Sequence, residues 1–191
     1  MYKQCRTERS AARQRVIEKG LLELMTVKHY DEIAVIDLCA HLQIPRKSFY
    51  RYFSSKDGAL HALIDHTVMD YESFNGVCTD GPGSNLQREF TQFFLFWHSQ
   101  KDLLDALFRS NMSGTLVERT ISHIYEGGIF PSRFVSDELA HIRKQVNLFC
   151  GCGLMSMVLS WHKEGYPCPA EEMAAIAARL VSEPLFSQHM E

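Results

Sequence analysis

Between residues 46 and 56 the sequence sets four cations, Arg46, Lys47, Arg51 and Lys56, among the hydroxyls of Ser48, Tyr50 and Tyr52. Guanidinium and ammonium groups donate charge-assisted hydrogen bonds, and hydroxyls both donate and accept. The chemistry on offer is therefore non-covalent recognition of an anionic, hydrogen-bonding surface, such as a phosphate backbone with base edges beside it. At about 100° per residue Lys47 and Arg51 lie opposite Phe49, flanked by Ser48 and Tyr50, while Phe49 and Phe53 point inward one turn apart. Tyr52 lies nearer the Phe49 side, where either a phosphate contact or a place in the core accounts for it.

Covalent chemistry has no comparable signal. Nine histidines and scattered acids form no H-E-x-x-H, nucleophile elbow, P-loop or dinucleotide fingerprint. No catalytic residue, cofactor or enzyme activity is expected. The six cysteines, Cys5, Cys39, Cys78, Cys150, Cys152 and Cys168, are dispersed. Cys150 and Cys152, two apart in a helix, point about 200° apart and cannot share a metal, so no metal site is expected. With no signal peptide upstream, reduced thiols in a cytoplasmic protein are the default. No apolar run approaches the roughly 20 residues that span a bilayer, so the protein is expected to be soluble.

The elements that present the cations are short. Val35, Leu38, Cys39 and Leu42 recur at i, i+3, i+4 and i+7, which predicts a helix burying one stripe. Pro45 biases Ile44 away from the helical region and itself suits a helix start, so the second helix begins at Arg46. Two short helices joined by a tight turn, with aromatic anchors on one side and cations on the other, suit a helix-turn-helix entering a DNA major groove.

The run Ile33 to Leu60, with IAV, IPRKSFYRYF and SSKDGAL in that order, resembles the signature of TetR-family (TetR/AcrR-like) transcriptional regulators. Ala34, Pro45 and Gly58 depart from the usual Thr, Ser and acidic residue; the first two lack side-chain oxygens whose capping is worth about 1 kcal/mol each. The resemblance implies an all-α fold, with an N-terminal three-helix DNA-binding domain at 1–54 and a larger helical ligand-binding and dimerisation domain at 55–191. It implies DNA contacts from Arg46, Lys47, Ser48, Tyr50, Arg51 and Tyr52. Lys56 is the residue the family sets against the DNA backbone, the alternative being an exposed lysine near a turn.

By the same resemblance the chain is expected to be a ligand-responsive repressor that binds a palindromic double-stranded operator as a homodimer. Candidate walls for a hydrophobic or aromatic small-molecule effector are Phe93, Trp97, Phe108, Met112, Phe149 and Met155; plain core packing accounts for each equally well. Candidate dimer contacts are Leu148, Cys152, Met155 and Leu159 on the long helix and Ala174, Ala178 and Val181 on the last. The competing reading is a helical protein-interaction module that has lost DNA binding, which Ala34, Pro45 and an acidic body would suit.

Charge and periodicity complete the outline. Residues 1–60 carry 11 Lys+Arg against 7 Asp+Glu, a balance of +4, whereas the remaining residues carry 9 against 16, a balance of −7. A basic end on an acidic body fits a DNA reader joined to something that must not bind DNA. Residues 2–8 read as a flexible basic arm, in which Arg6 and, further on, Arg9 and Arg13 either reach phosphates or remain solvated. Helices are expected from about Ser10 to Val27, from Ser55 to about Asn75 with Phe74 on its apolar stripe, from Asn85 to Gln100, from Lys101 to Ser110 and from Gly114 to Tyr125. A long helix starts at a Ser136 cap with Asp137 and Glu138, carries Leu139 on its stripe and runs to about Glu164; a last one begins at Pro169. Loops fall at 80–84, 127–131 and 165–169. Five rings, Phe90, Phe93, Phe94, Phe96 and Trp97, exceed one helical stripe, so either two faces of that helix are buried or a cavity is lined.

Overall fold

The computed structural model describes residues 2, 3, 5–76, 86–126 and 141–183, with backbone alone at 72 and 74–76. Cys78, the expected loops at 80–84 and 127–131, the Ser136 cap with Asp137, Glu138 and Leu139, and the Phe74 side chain lie outside the described residues. The described chain is all-α, with α1 Glu8–Met25, α2 Val35–His41, α3 Arg46–Tyr50, α4 Lys56–Gly76, α5 Leu86–Ser99, α6 Lys101–Arg109, α7 Ser113–Tyr125, α8 Arg143–Lys163 and α9 Ala170–Ser182.

By packing, the chain divides into two units: Met1–Asp70 with Asp102–Gly127, and Tyr71–Lys101 with Gly128–Glu191. Residues 1–54 lie wholly in the first, which also takes in most of α4 and nearly all of α6 and α7.

In the first unit α1 begins two residues earlier than its apolar stripe suggests, because Thr7 caps it: the Thr7 hydroxyl oxygen accepts the Ser10 N–H at 3.2 Å. Ile17, Leu21 and Met25 of α1 are buried with Leu38, Phe49, Phe53, Leu60 and Ile64. Gly20 permits the close approach of α1 and α2; a Cβ there would meet the Leu42 side chain at 2.6–2.9 Å. The turn between α2 and α3 is closed by Gln43, whose φ of 53° is left-handed, and by a 2.9 Å bond from the Ile44 N–H to the Cys39 carbonyl. Ala34 and Pro45 make no side-chain caps, but the Asp37 carboxylate accepts the Ala34 N–H at 2.8 Å and so satisfies one donor at the start of α2. Ser55 caps α4 through the Gly58 N–H at 3.1 Å.

Tyr2 and Lys3 are held in place, where a loose arm was expected over residues 2–8. Tyr2 bridges antiparallel to Phe53, the Lys3 N–H donates to the Tyr52 carbonyl at 3.0 Å, and the Tyr2 hydroxyl donates to Asp65 at 2.8 Å. The basic composition concealed a tyrosine with a buried carboxylate to meet.

In the second unit the five rings of α5 are used on two sides. Phe93 and Phe96 each pack on Tyr71 with ring centroids 5.3 Å apart, while Phe94 sets an edge against Trp161 of α8 at 5.7 Å. Helix α9 lies along α5 and turns Ala174 and Ala177 inward, small residues that let the axes approach. The turn between α8 and α9 passes through Gly165 and Tyr166, both at positive φ, which brings the Tyr166 ring against His98 and Trp161. Among the described residues no helix is long and apolar enough to cross a membrane.

Candidate nucleic-acid interface

Helix α3 has five residues, too few to be stable alone, so its orientation comes from its anchors. Phe49 and Phe53 are 0% and 1% exposed, with ring centroids 5.4 Å apart, and they fasten the segment to the core. The face opposite them is turned outward. Arg46, Lys47, Tyr50 and Arg51 are exposed and Ser48 is half-buried. The Arg46 guanidinium stands 5.9 Å from the centre of the Tyr50 ring, a cation–π approach that holds two members of the ridge together.

The ridge continues onto α1. A cleft of about 330 Å³ is lined by Thr7, Arg9, Ser10 and Arg13 from the start of α1 and by Ser48, Arg51 and Tyr52 from α3 and its end. Three guanidinium groups and four hydroxyls converge there without a carboxylate among the lining residues. That is the donor set of a phosphate site. Arg6 is exposed but is not part of this lining.

Two of the residues named from the sequence stand apart. Tyr52 is 8% exposed, so most of its ring belongs to the core while part of it borders the cleft. Lys56 is engaged within the chain: its ammonium donates to the Tyr30 carbonyl at 2.6 Å and sits 4.0 Å from the centre of the Tyr30 ring. Thr7 and Ser10 belong to the cleft and were missed; a threonine just before an amphipathic run is the signal that would have placed them.

The candidate effector walls do not all fall in one unit, although Phe93 and Trp97 meet with ring centroids 6.3 Å apart. Phe93, Trp97 and Met155 are buried in the second unit, whereas the half-buried Phe108 and Met112 belong to the first. Phe149 is corrected outright: it is 71% exposed, because on α8 it falls on the side away from Leu154, Met155, Val158 and Trp161. The Trp97 indole N–H is buried and has no hydrogen-bond partner among the described residues.

The candidate dimer contacts divide likewise. Met155 and Ala174, at 1% and 0% exposure, are core residues of their own unit and cannot meet a partner chain. Leu148, Cys152, Leu159 and Ala178 are half-buried, and Val181 is exposed. Burial raises the pKa of the Cys150 and Cys152 thiols above the usual cysteine value. Among the described residues no group of three or more His, Cys, Asp or Glu side chains is placed to hold a metal ion.

A tight turn into a short helix, with buried aromatics behind it and cations in front, is the arrangement of the helix-turn-helix class. Solved structures place it more closely. The chain is similar to the fatty acid degradation regulator FadR from Bacillus halodurans, with 10% identity, a TM-score of 0.57, and coverage of 97% of this chain and all of the other. It is similar to the dihydroxyacetone kinase operon activator DhaS at 14% identity and a TM-score of 0.57, over 90% of this chain and 94% of that one. It is also similar to a transcriptional regulator of the TetR/AcrR family from Thermobifida fusca at 15% identity and a TM-score of 0.52, over 92% and 100% of the two chains. No protein-family model and no curated relative matches the sequence. At these identities the likeness establishes the fold, and the chain has the fold of the TetR-family transcriptional regulators.

Proposed function

We propose that the protein is a DNA-binding transcriptional regulator that reads a palindromic operator as a homodimer. The observation that carries this reading is the continuous cationic surface formed by Arg46, Lys47 and Arg51 with the Arg9, Arg13 and Arg51 cleft, held outward by Phe49 and Phe53. Arginine reaching a guanine edge discriminates between bases by about 1–3 kcal/mol. Ser48, Tyr50 and the cleft hydroxyls hold phosphates and set the register without specifying sequence. In a symmetric dimer the two α3 helices enter successive major grooves about 34 Å apart.

The pairing surface is the outward side of α8 and α9. Leu148, Cys152 and Leu159 lie on one flank of α8 with Phe149 beyond them, and Ile176 and Leu180 are 42% and 41% exposed on α9, opposite Ala174 and Ala177. Apolar groups on the solvent side of two helices suit a four-helix bundle with a second copy.

The second unit responds to a hydrophobic or aromatic effector, and repression is relieved when that effector favours a state unable to bind DNA. The buried, unpartnered Trp97 N–H supports this, since a ligand acceptor would satisfy it. Selection from a random duplex pool, followed by sequencing, tests the reading. An enriched inverted repeat, with affinity falling steeply as salt rises, is expected. A reporter under that repeat reads the direction of control.

The competing reading, an interaction module that has lost DNA binding, rests on the absent side-chain caps at Ala34 and Pro45. It requires that no duplex bind even at low salt, and such a result would end the regulator proposal.

A further inference from the structure

Tyr52 and Phe53 follow α3, and both donate their N–H groups back to the Phe49 carbonyl, at 3.0 and 3.1 Å. The Tyr52 carbonyl is met from far away in the sequence. The Lys3 N–H donates to it at 3.0 Å, beside the antiparallel bridge between Tyr2 and Phe53. Tyr2 is in turn fixed by its side chain. Its hydroxyl donates to Asp65 at 2.8 Å, the carboxylate that Arg119 holds with two bonds of 2.6 Å, and its ring packs edge-on with His66 at 5.6 Å. His66 Nδ1 is itself bonded to the Glu18 carboxylate at 2.9 Å, and Glu18 is 1% exposed. Further along, the Cys5 thiol donates to the Gln14 side-chain oxygen of α1 at 2.8 Å.

We propose that Tyr2 is a positioning residue for the reader helix: it fixes a splint, residues 2 and 3, whose Lys3 N–H holds the exit of α3 through the Tyr52 carbonyl. Helix α3 is too short to keep an orientation by itself. Phe49 and Phe53 anchor it, but two rings one turn apart define a line, about which the cationic face can still rock. The Tyr52 carbonyl lies one residue round from Phe53, off that line, and a bond there supplies a third fixed point. A single backbone bridge is marginal alone. The Tyr2 hydroxyl and ring secure it, because Asp65 and His66 are themselves tied to Arg119 and Glu18. Arg51, which lines the cleft and directly precedes Tyr52, is the reader cation that the splint holds most closely. The part played by residue 3 lies with its backbone N–H and not with its ammonium.

The splint rests on the DNA-binding reading for one of its two tests and stands free of it for the other. The free test is amide exchange in the full-length protein without DNA, comparing wild type with Tyr2→Phe, Lys3→Ala and Lys3→Pro. Proline removes the N–H that meets Tyr52, whereas alanine removes only the ammonium. Exchange at Tyr52 and Phe53 is expected to quicken roughly tenfold in Lys3→Pro and by a smaller factor in Tyr2→Phe. The core amide of Leu21 should not change, and Lys3→Ala should match wild type. Unchanged exchange at Tyr52 and Phe53 in Lys3→Pro or in Tyr2→Phe overturns the splint. In the second test the same proteins and Arg51→Ala are titrated across a salt series with the duplex that selection enriches, at a temperature where each is fully folded. Lys3→Pro is expected to weaken binding roughly five- to tenfold, about the worth of one hydrogen bond, at every salt concentration. Its slope of log affinity against log salt stays that of wild type, Lys3→Ala keeps wild-type affinity, and Arg51→Ala flattens the slope by about 0.9. A slope flattened to that extent in Lys3→Ala places the ammonium on a phosphate and overturns the assignment to the N–H. Wild-type affinity in Lys3→Pro shows that the bond serves the fold alone and overturns the positioning role. If no duplex is enriched, the regulator reading fails and the exchange result alone decides. Should Lys3→Pro fail to fold, Tyr2→Phe, which removes only the bond to Asp65, is carried through both tests with the same criteria.

Discussion

Arg119 on α7 closes on Asp65 of α4 through two parallel hydrogen bonds of 2.6 Å each, and the Tyr2 hydroxyl completes the carboxylate's partners at 2.8 Å. The pair is largely withdrawn from solvent, with the side chains 21% and 6% exposed. Removing one partner of such a pair strands the other, which costs more than the pair contributes. Arg119→Met should therefore lower stability by about 3 kcal/mol, whereas the double variant Asp65→Leu/Arg119→Met should recover a substantial part of the loss. Urea unfolding midpoints compared at constant slope read both effects. Additive losses in the double variant would show that the two residues do not act on each other.

Gly20 gives a second measurable contact. Its missing Cβ leaves the space that Leu42 fills, and three Leu42 side-chain atoms lie within 2.6–2.9 Å of where that Cβ would be. Alanine is the better helix former by about 1 kcal/mol, so on propensity alone Gly20→Ala would stabilise α1. Overpacking opposes this with a cost of about 1–3 kcal/mol and is expected to win. Thermal unfolding of Gly20→Ala should show a lower Tm, partly restored by adding Leu42→Ala; a raised Tm in the single variant would mean that Leu42 has room to move.

What could be foreseen in the sequence divides at the same kind of boundary. The helix-turn-helix was legible because its determinants are local: the spacing of Leu38, Cys39 and Leu42, the break at Pro45 and the Phe49/Phe53 pair lie within one stretch of chain. The bond from the Tyr30 N–H to the Ser110 hydroxyl oxygen and the Asp65–Arg119 pair were not, since their partners are 80 and 54 residues apart and no periodicity links them. Phe149 and Met155 show the remaining limit. Both sit on apolar stripes of α8, and only packing decides that Met155 faces the core and Phe149 the solvent.

Tyr2 and Tyr30 bear on alkaline stability. Burial first, and then a hydrogen bond to Asp65 or Asp57 respectively, raises both phenols above the usual tyrosine value of about 10. A phenol with a raised folded pKa keeps its proton in the folded protein while the unfolded chain releases it. Its contribution is thus complete below about pH 10 and is lost as pH rises above that value. Ultraviolet titration should find a fraction of the tyrosine signal that resists ionisation until the protein unfolds, and that fraction should shrink in Tyr2→Phe and in Tyr30→Phe. Tyr2→Phe and Tyr30→Phe should each flatten the alkaline fall in stability; an unaltered fall in either variant would count against that residue's burial.

Dimerisation has a direct test at Phe149. An aromatic ring 71% exposed on the solvent side of α8 gains most of its burial only if a partner covers it. Phe149→Glu is expected to shift sedimentation from dimer to monomer at micromolar concentration while leaving helicity unchanged, and Ile176→Glu should act in the same direction. If both variants sediment as wild type, the outward faces of α8 and α9 are not the pairing surface.

On the proposed reading, the cleft between α1 and α3 holds phosphates while the outer face of α3 reads bases, and the two roles can be told apart. Arg9 and Arg13 reach it from α1, whereas Arg46 and Lys47 lie on the exposed face of α3. If Arg9 and Arg13 hold phosphates, replacing either with alanine should weaken binding to selected and unselected duplexes alike and reduce the salt slope by about 0.9 each. If Arg46 or Lys47 reads a base edge, its loss should cost about 1–3 kcal/mol on the selected duplex and much less on an unselected one. Fluorescence anisotropy on the two duplexes measures the difference. A loss of discrimination in Arg9→Ala, or a uniform loss in both α3 variants, would reverse the roles assigned to the two helices.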